Sequence, residues 1–517
     1  MDSDFYRRFA GEKRAVVVAP AGCGKTELIA RAVGCCPPES RQLVLTHTHA
    51  GVDAIRGRLR KVKVPASHYH VETIHSFTLR YAAAYPKSSQ IRNIEPLTSE
   101  DYTDIAESAH RLIKTRLVRE ILSRSYGGVF VDEYQDCTID QHDLIVRLAE
   151  VLPCRIVGDP LQGIFDFGNN QIVDWDQHIY PFFTRLPDLT EPWRWKGSNP
   201  RLGKWLAEIV RPALERREPI PLYQVLQAGI CAWTQEISGQ YGPAKRIKVL
   251  LEALNQDQTT FVICRPEREA LPHHLASQLQ NRYRSIEPVT SETLCRFAEA
   301  IEGHTGMDRL HAAYDFSSEC LTGQQDFHAV FQAIRKGGKV KSDRRRALYE
   351  LAMCTVVETS LDRIAALFEF VEKAGNPTIK RYQLWREMRR ALSAVVSGTV
   401  RTLVEATHII RNKGAAQGRT IPKRCISRTV LLKGLECDRA IVVDADSMDT
   451  KNLYVALTRG SRNLHIMSKE QVLWPSDAHH PCPRCHSALT FRRSAAGPLL
   501  VCSAYPSCRH TEPITKT

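Results

Sequence analysis

The stretch from Arg14 to Leu28, RAVVVAPAGCGKTEL, constrains the fold of this chain more than any other. An apolar, β-rich run from Arg14 to Ala19 feeds a glycine-containing loop, and Gly24, Lys25 and Thr26 then open a helix. Strand, loop and helix in that order aim backbone N–H groups and the positive end of a helix dipole at one small volume, which suits phosphate. The spacing AxxGxGKT runs from Ala19 through Gly22 and Gly24 and predicts a triphosphate site, with Ala19 where the strict pattern has glycine. In such a site Lys25 reaches the β/γ-phosphates and the Thr26 hydroxyl ligates Mg²⁺.

Later segments supply the partners that such a site needs. Gln42 to Thr46 reads as a buried strand, with Thr46, Thr48 and His49 at its carboxyl end, where open α/β sheets bind ligands. Tyr69 to Glu72 reads as another strand, followed by His75, which taken alone reads as a helix-cap histidine. In VFVDEYQD a buried strand ends at Asp132 and Glu133; paired carboxylates there suit Mg²⁺ at Asp132 and water activation by Glu133. The strand Arg155 to Val157 ends in GDPLQGIFDF, where Gln162 can sense a γ-phosphate and Phe165 and Phe167 suit either base stacking or the core. Strands alternating with helices predict an α/β fold with a doubly wound parallel sheet whose strand-end loops carry these motifs.

A first domain is expected over 1–188, with a helical insert at about 86–126. A second α/β domain is expected over 189–289 and 421–474, interrupted by a helical insert at 290–420. It opens on LTEPWRW, in which Arg194 stands between Trp193 and Trp195, and it includes the strand Thr260 to Cys264. Strands are expected over Arg428 to Leu432 and Arg439 to Asp444, flanking Lys433, Gly434, Leu435 and Glu436. Asn452 to Met467 reads as a short helix, a turn and a strand, with Arg459 just before Gly460.

The formal net charge of +14 favours a polyanionic partner. No apolar run approaches the ~18 residues of a membrane span, so no membrane partner is expected. The N-terminal MDSDFYRRFAGEKR lacks the apolar core of a signal peptide, and the 16 cysteines then read mostly as reduced thiols in the cytoplasm.

Taken in order, these motifs resemble the UvrD/Rep-type family of superfamily 1 DNA helicases. APAGCGKT, LTHTHAGVDAIRGRL, VETIHSF, VFVDEYQD, VGDPLQGIFDF, LTEPWRW, LLKGLE and YVALTR follow the family's motif order over about residues 15 to 467. The resemblance implies two RecA-like domains that close on ATP and Mg²⁺, and movement on single-stranded or tailed duplex DNA, 3′ to 5′. It implies that Lys25 and Thr26 hold phosphates and metal, that Asp132 binds Mg²⁺, and that Glu133 polarises water. It further implies that Gln162 and Arg194 approach the γ-phosphate, that Trp193 stacks on adenine, and that Gly434 and Glu436 form a motif in which Glu436 binds ribose. Arg459 would be an arginine finger, and Thr46, Thr48, His75 and Phe167 would line the DNA track. No Gln precedes Gln42, although family members usually carry one upstream that reads adenine. Small members of the family also serve beside a nuclease in phage defence (the Gabija type). That implies an alternative role, a DNA-stimulated ATPase that senses DNA ends or single strands and regulates a nuclease partner; repair is the other setting.

A separate segment is expected over 477–517. There Cys482, Cys485, Cys502 and Cys508 have the spacing of a structural Zn²⁺ site, with a knuckle on one side and a second pair across a hairpin of Leu489 to Arg492 and Pro498 to Val501; two disulfides or reactive thiols are the alternative. The segment is similar to the C-terminal zinc ribbons of bacterial type I topoisomerases, which implies single-strand contact through Arg484, Arg492, Arg493 and Tyr505.

Overall fold

The computed structural model describes residues 3–91, 99–165, 171–236, 242–255, 257–280, 282–288, 292–340, 342–374, 377–417, 421–478, 481–494 and 497–513. They form an α/β fold with two RecA-like parallel sheets, helical inserts and a small C-terminal ribbon. Two compact units divide the chain: Met1–Gln235 with Ala445–Thr517, and Glu236–Asp444.

The first unit begins with helix α1 (Ser3–Gly11) and strand β1 (Arg14–Val18). Then follow α2 (Lys25–Cys35), β2 (Gln42–Thr46), α3 (His49–Lys61), β3 (Tyr69–Thr73) and α4 (Ile74–Ala84). The insert helices α5 (Ser99–Ile113) and α6 (Arg116–Ser125) precede β4 (Gly128–Val131), α7 (Ile139–Ala149), β5 (Cys154–Gly158) and β6 (Thr184–Arg185). The strand order is β3-β2-β4-β5-β1-β6, and every pairing is parallel. Parallel sheets are covered on both faces, so their strands are continuous apolar runs. Val16, Val17, Leu43, Val44, Leu45, Val129, Phe130 and Val131 are accordingly sealed from solvent. α1, which has no counterpart in the sequence reading, packs Phe9 edge-on against Phe130 with ring centroids 5.8 Å apart.

Register decides where the strand ends meet. Val18 pairs with Gly158, Val131 with Ile156, and Leu45 with Val131. Ala19, Thr46, Asp132 and Asp159 therefore emerge along one edge of the sheet, each from the carboxyl end of a different strand.

Beyond β6, α8 (Trp193–Lys196) and α9 (Pro200–Trp205) lead through a π-helical turn, Leu206–Val210, into α10 (Arg211–Glu215). Pro212 explains the widened turn: it has no N–H to donate, and its ring collides with the carbonyl four residues back. β7 (Ala232–Gln235) closes this part of the unit.

The second unit contains β8 (Thr260–Cys264), β9 (Arg284–Ser285), β10 (Arg424–Arg428) and β11 (Cys437–Val442), paired in parallel in the order β9-β10-β8-β11. Its helical body is centred on Phe316, Phe368 and Trp385, with the Phe316 and Trp385 rings stacked at 5.7 Å. The strand expected over Arg428 to Leu432 is corrected here. β10 ends at Arg428, and Thr429–Leu432 is one helical turn. A run as short as Thr-Val-Leu-Leu has no periodicity that separates strand from helix, and packing decides it.

Glu236 and Asp444, the first and last residues of this unit, are tied together. The Asp444 N–H donates to Glu236 Oε2 at 3.0 Å. Arg246 Nη2 donates to Glu236 Oε1 at 2.7 Å and to Asp444 Oδ1 at 3.0 Å. Burial, reinforced by the neighbouring Asp444 carboxylate, pushes the Glu236 carboxyl up to about 8.

The chain then returns to the first unit with α11 (Thr450–Leu457) and β12 (Gly460–Ser468), which pairs in parallel with β7. The ribbon follows as an antiparallel sheet of β13 (Leu489–Ser494), β14 (Gly497–Cys502) and β15 (Thr511–Pro513). Among the described residues no helix is long and apolar enough to cross a membrane.

Candidate functional site

The glycine loop joins β1 to α2 through two left-handed residues, Gly22 at φ +72 and Gly24 at φ +92. Packing adds a second reason for glycine at the first of them. A Cβ on Gly22 would lie 2.6 Å from Trp195 Cζ3 and 2.8 Å from Arg194 Cβ. Gly22→Ala is therefore expected to destabilise this unit by about 2–4 kcal/mol, combining the left-handed backbone with overpacking. A fall in denaturant midpoint checks it; an unchanged midpoint would show that the loop relaxes freely.

Lys25, the first residue of α2, donates from Nζ to the Ala19 carbonyl at 3.2 Å and so folds back across the loop. Thr26 follows it in the first turn, half-buried. Cys23, inside the loop, is buried, and that burial pushes its thiol up to about 11.

Asp132 stands at the end of β4, and its N–H donates to Leu45 O at 2.9 Å. Burial, with the Glu133 charge beside it, pushes its carboxyl up to about 7. Glu133 itself has φ +54, a left-handed conformation that a non-glycine residue adopts at a cost. Its Oε2 accepts from Gln135 Nε2 at 2.5 Å, and Gln135 Oε1 accepts from the Asp159 N–H at 2.9 Å. Two adjacent carboxylates, one sealed from water, fit a divalent cation, which would relieve their repulsion.

Asp159, fully buried at the end of β5, is the hub of the site. Its Oδ2 accepts from the loop amide of Ala21 at 3.1 Å and from Gln162 Nε2 at 2.8 Å. Its Oδ1 accepts from Arg211 Nη1 at 2.8 Å and from the Leu161 N–H at 3.3 Å. The other face of Gln162 meets α11: Arg459 Nη2 donates to Gln162 Oε1 at 3.3 Å. Arg459, 1 % exposed, also donates from Nε to Val455 O at 2.9 Å and from Nη2 to Thr458 Oγ1 at 3.0 Å.

Arg194 and Trp193 flank the loop from α8. The Arg194 N–H donates to Gly22 O at 3.1 Å, and its Nη1 donates to Thr458 O at 2.6 Å. Trp193 stays 45 % exposed, with its ring edge 3.5 Å from where a Gly24 Cβ would stand and with Lys196 Nζ over its face at 4.2 Å. Trp195, by contrast, is buried and donates from its indole to Gly460 O at 2.7 Å.

The structure thus brings together Ala19, Gly22, Gly24, Lys25, Thr26, Asp132, Glu133, Gln162, Trp193, Arg194 and Arg459 within one unit. Gly434 and Glu436 belong to the other unit, between the turn Thr429–Leu432 and β11; Gly434 has φ +77 and both are exposed. Of the residues expected along a DNA track, Thr48 is the N-cap of α3, its Oγ1 accepting from the Gly51 N–H at 3.0 Å. Thr46 is buried. His75 lies half-buried in the first turn of α4, which Thr73 rather than His75 caps, and burial holds its imidazole below the usual value. Phe167 lies outside the described residues.

Three contributors escape the sequence reading: Asp159, Tyr454 and Arg211. Asp159 and Tyr454 sit inside quoted motifs without a role assigned to them. For Arg211 one signal exists, the proline that follows it within a helical stretch.

In the ribbon, the ligand atoms of Cys482, Cys485, Cys502 and Cys508 all lie within 4.8 Å of one another. The Sγ atoms of Cys482 and Cys508 are 3.7 Å apart, and those of Cys485 and Cys502 are 3.3 Å apart. A tetrahedron with Zn–S bonds of about 2.3 Å has edges of about 3.8 Å, so the four thiols fit Zn²⁺. Both separations exceed the ~2.05 Å of a disulfide. The Cys482 carbonyl accepts from the His486 N–H at 2.8 Å, and the Arg484 N–H donates to Cys482 Sγ at 3.4 Å, which forms the knuckle.

Residues 6–168 match a protein-family model described as an AAA domain. A comparison with curated protein sequences finds no match. Among solved structures, a complex of arterivirus nonstructural protein 10, a helicase, with DNA is similar to it at 13 % identity and a TM-score of 0.26. The similarity covers 50 % of this chain and 49 % of that one, so the chain spans about half the length of that helicase.

Proposed function

We propose that the chain is an ATP-hydrolysing motor on single-stranded DNA, of the UvrD/Rep kind, with a zinc-stabilised ribbon. The AAA-domain match over residues 6–168 supports nucleotide hydrolysis. One geometric observation carries the motor reading: Arg459, just past the end of α11 and 297 residues from Gln162 in the chain, is bonded to Gln162, which shares Asp159 with the loop amide of Ala21. In this reading finger, sensor and phosphate loop belong to one hydrogen-bonded system, an arrangement that supports coupling of hydrolysis to movement.

In this reading the loop amides and Lys25 bind the β- and γ-phosphates, and Thr26 and Asp132 hold Mg²⁺. The metal neutralises phosphate charge when bound. Glu133, steadied by Gln135, accepts a proton from the attacking water. Gln162, Arg194 and Arg459 stabilise the charge that develops on the transferred phosphoryl group. Trp193 is the exposed aromatic beside the loop and stacks on the base. The net charge of +14 supports a nucleic-acid track, and 3′ to 5′ movement follows from the motif resemblance.

ATP hydrolysis measured without nucleic acid and with single-stranded DNA, duplex DNA or RNA tests this. Single-stranded DNA is expected to stimulate the rate strongly. Lys25→Ala is expected to lower the stimulated rate by at least about a hundredfold. A rate indifferent to every nucleic acid would overturn the motor reading. Stimulation without displacement of a strand from a tailed duplex would favour the sensor role instead.

A further inference from the structure

Arg211 belongs to none of the motifs, yet it is built into the centre of the site. Its side chain is 11 % exposed and faces Asp159, which is fully buried. One nitrogen, Nη1, donates both to Asp159 Oδ1 at 2.8 Å and to the Tyr454 hydroxyl at 3.0 Å. On the far side Nε meets Glu215 Oε1 at 2.9 Å. The Ala21 N–H closes the ring, donating to Asp159 Oδ2 at 3.1 Å and to the Tyr454 hydroxyl at 3.2 Å.

This ring ties three separate elements. Ala21 is in the phosphate loop, Asp159 holds Gln162, and Tyr454 lies on α11, whose C-terminal end carries Arg459. Burial keeps the Tyr454 phenol neutral, and the Asp159 and Tyr454 contacts keep the Arg211 guanidinium charged despite its burial. The π-helical turn that Pro212 imposes ends at Val210, directly before Arg211.

We propose that Arg211 is a positioning residue for hydrolysis: by bridging Asp159 and Tyr454 it holds the sensor Gln162 and the finger Arg459 in register with the phosphate loop. The proposal rests on the reading of the site given above. Arg211 touches neither nucleotide nor metal in this reading, so it acts on the rate of the chemical step and leaves nucleotide affinity alone.

The test compares Arg211→Met, Arg211→Lys and Tyr454→Phe with wild type and Lys25→Ala. Three quantities are read: kcat and KM for DNA-stimulated ATP hydrolysis, affinity for a fluorescent ADP analogue, and the thermal midpoint. Arg211→Met is expected to lower kcat about a hundredfold and Tyr454→Phe about tenfold, with KM and ADP affinity within about twofold of wild type. Arg211→Lys, which keeps a cation able to meet both oxygens, is expected to recover at least a tenth of the wild-type kcat. Should Arg211→Met fail to fold, Tyr454→Phe, which removes a single hydroxyl, decides the matter. Unchanged kcat in the folded variants would overturn the proposal, and so would a loss that tracks the thermal midpoint or that lysine does not recover. If wild type hydrolyses ATP and Lys25→Ala does not, such a result sinks this proposal alone. If wild type hydrolyses no ATP, the reading of the site fails first and the proposal falls with it.

Discussion

Arg459→Ala is expected to reduce DNA-stimulated ATP hydrolysis by about 10³–10⁵ in kcat, the range that an arginine finger contributes. That range corresponds to about 4–7 kcal/mol of transition-state stabilisation. KM for ATP should change little, because the interaction strengthens only as charge develops on the transferred phosphoryl group. The expectation rests on placement: Arg459 is 1 % exposed, steadied by Val455 O and Thr458 Oγ1, and bonded to Gln162 across the site. Arg459→Lys is expected to restore little of the rate. A compact ammonium on a flexible stem cannot reproduce the planar fork that engages Val455, Thr458 and Gln162 at once. Circular dichroism of both variants separates lost chemistry from lost folding. A folded Arg459→Ala protein within tenfold of the wild-type kcat would show that the finger reading is wrong.

The second large effect concerns the ribbon. The purified chain is expected to carry one equivalent of Zn²⁺, and Cys482→Ser or a strong chelator should release it and unfold the segment 481–513. Among the described residues, the ribbon's buried cluster comprises Cys482, Leu489, Leu500 and Cys502, with Trp474, Ala504 and Cys508 packed against it. Two buried leucines supply about 1.5–3 kcal/mol each, whereas structural zinc binding supplies about 10–16 kcal/mol. The metal is therefore the larger source of order in this segment. Metal analysis gives the stoichiometry, and limited proteolysis before and after chelation reads the folding. A metal-free preparation whose C-terminal segment resists protease would refute the assignment.

The two expectations differ in how far the sequence carries them. Four cysteines with metal-ligand spacing announce a shared site within one short segment, since the hairpin that joins them is local. The phosphate loop is similarly local: β1, Gly24 and Lys25 are contiguous, and helix geometry places the amides. The buried strands β1, β2, β4 and β5 were legible for the same reason, because continuous apolar runs between helices have few other places to go. The strand expected over Arg428 to Leu432 gives way to a helical turn at Thr429–Leu432, because a run that short carries no period. The resemblance places Thr48 on a DNA track, and in the structure its hydroxyl accepts from the Gly51 N–H as the N-cap of α3, a local role that a threonine three residues ahead of a glycine amide also makes legible. Asp159 stood inside a quoted motif, yet its part as hub depends on four donors brought from the loop, its own turn and α10.

What the sequence by itself determined is thus the set of elements whose causes are local: the glycine loop, the apolar strands, the adjacent carboxylates at a strand end and the cysteine tetrad. Only the tertiary structure decided which distant groups share that site. Ala21 and Tyr454 are 433 residues apart in the chain, and Arg211 and Tyr454 are 243 apart, yet each pair is within hydrogen-bond reach. Such contacts leave no periodic or spacing signal, because they depend on strand register, on a widened helical turn and on burial, which favours polar groups that pair.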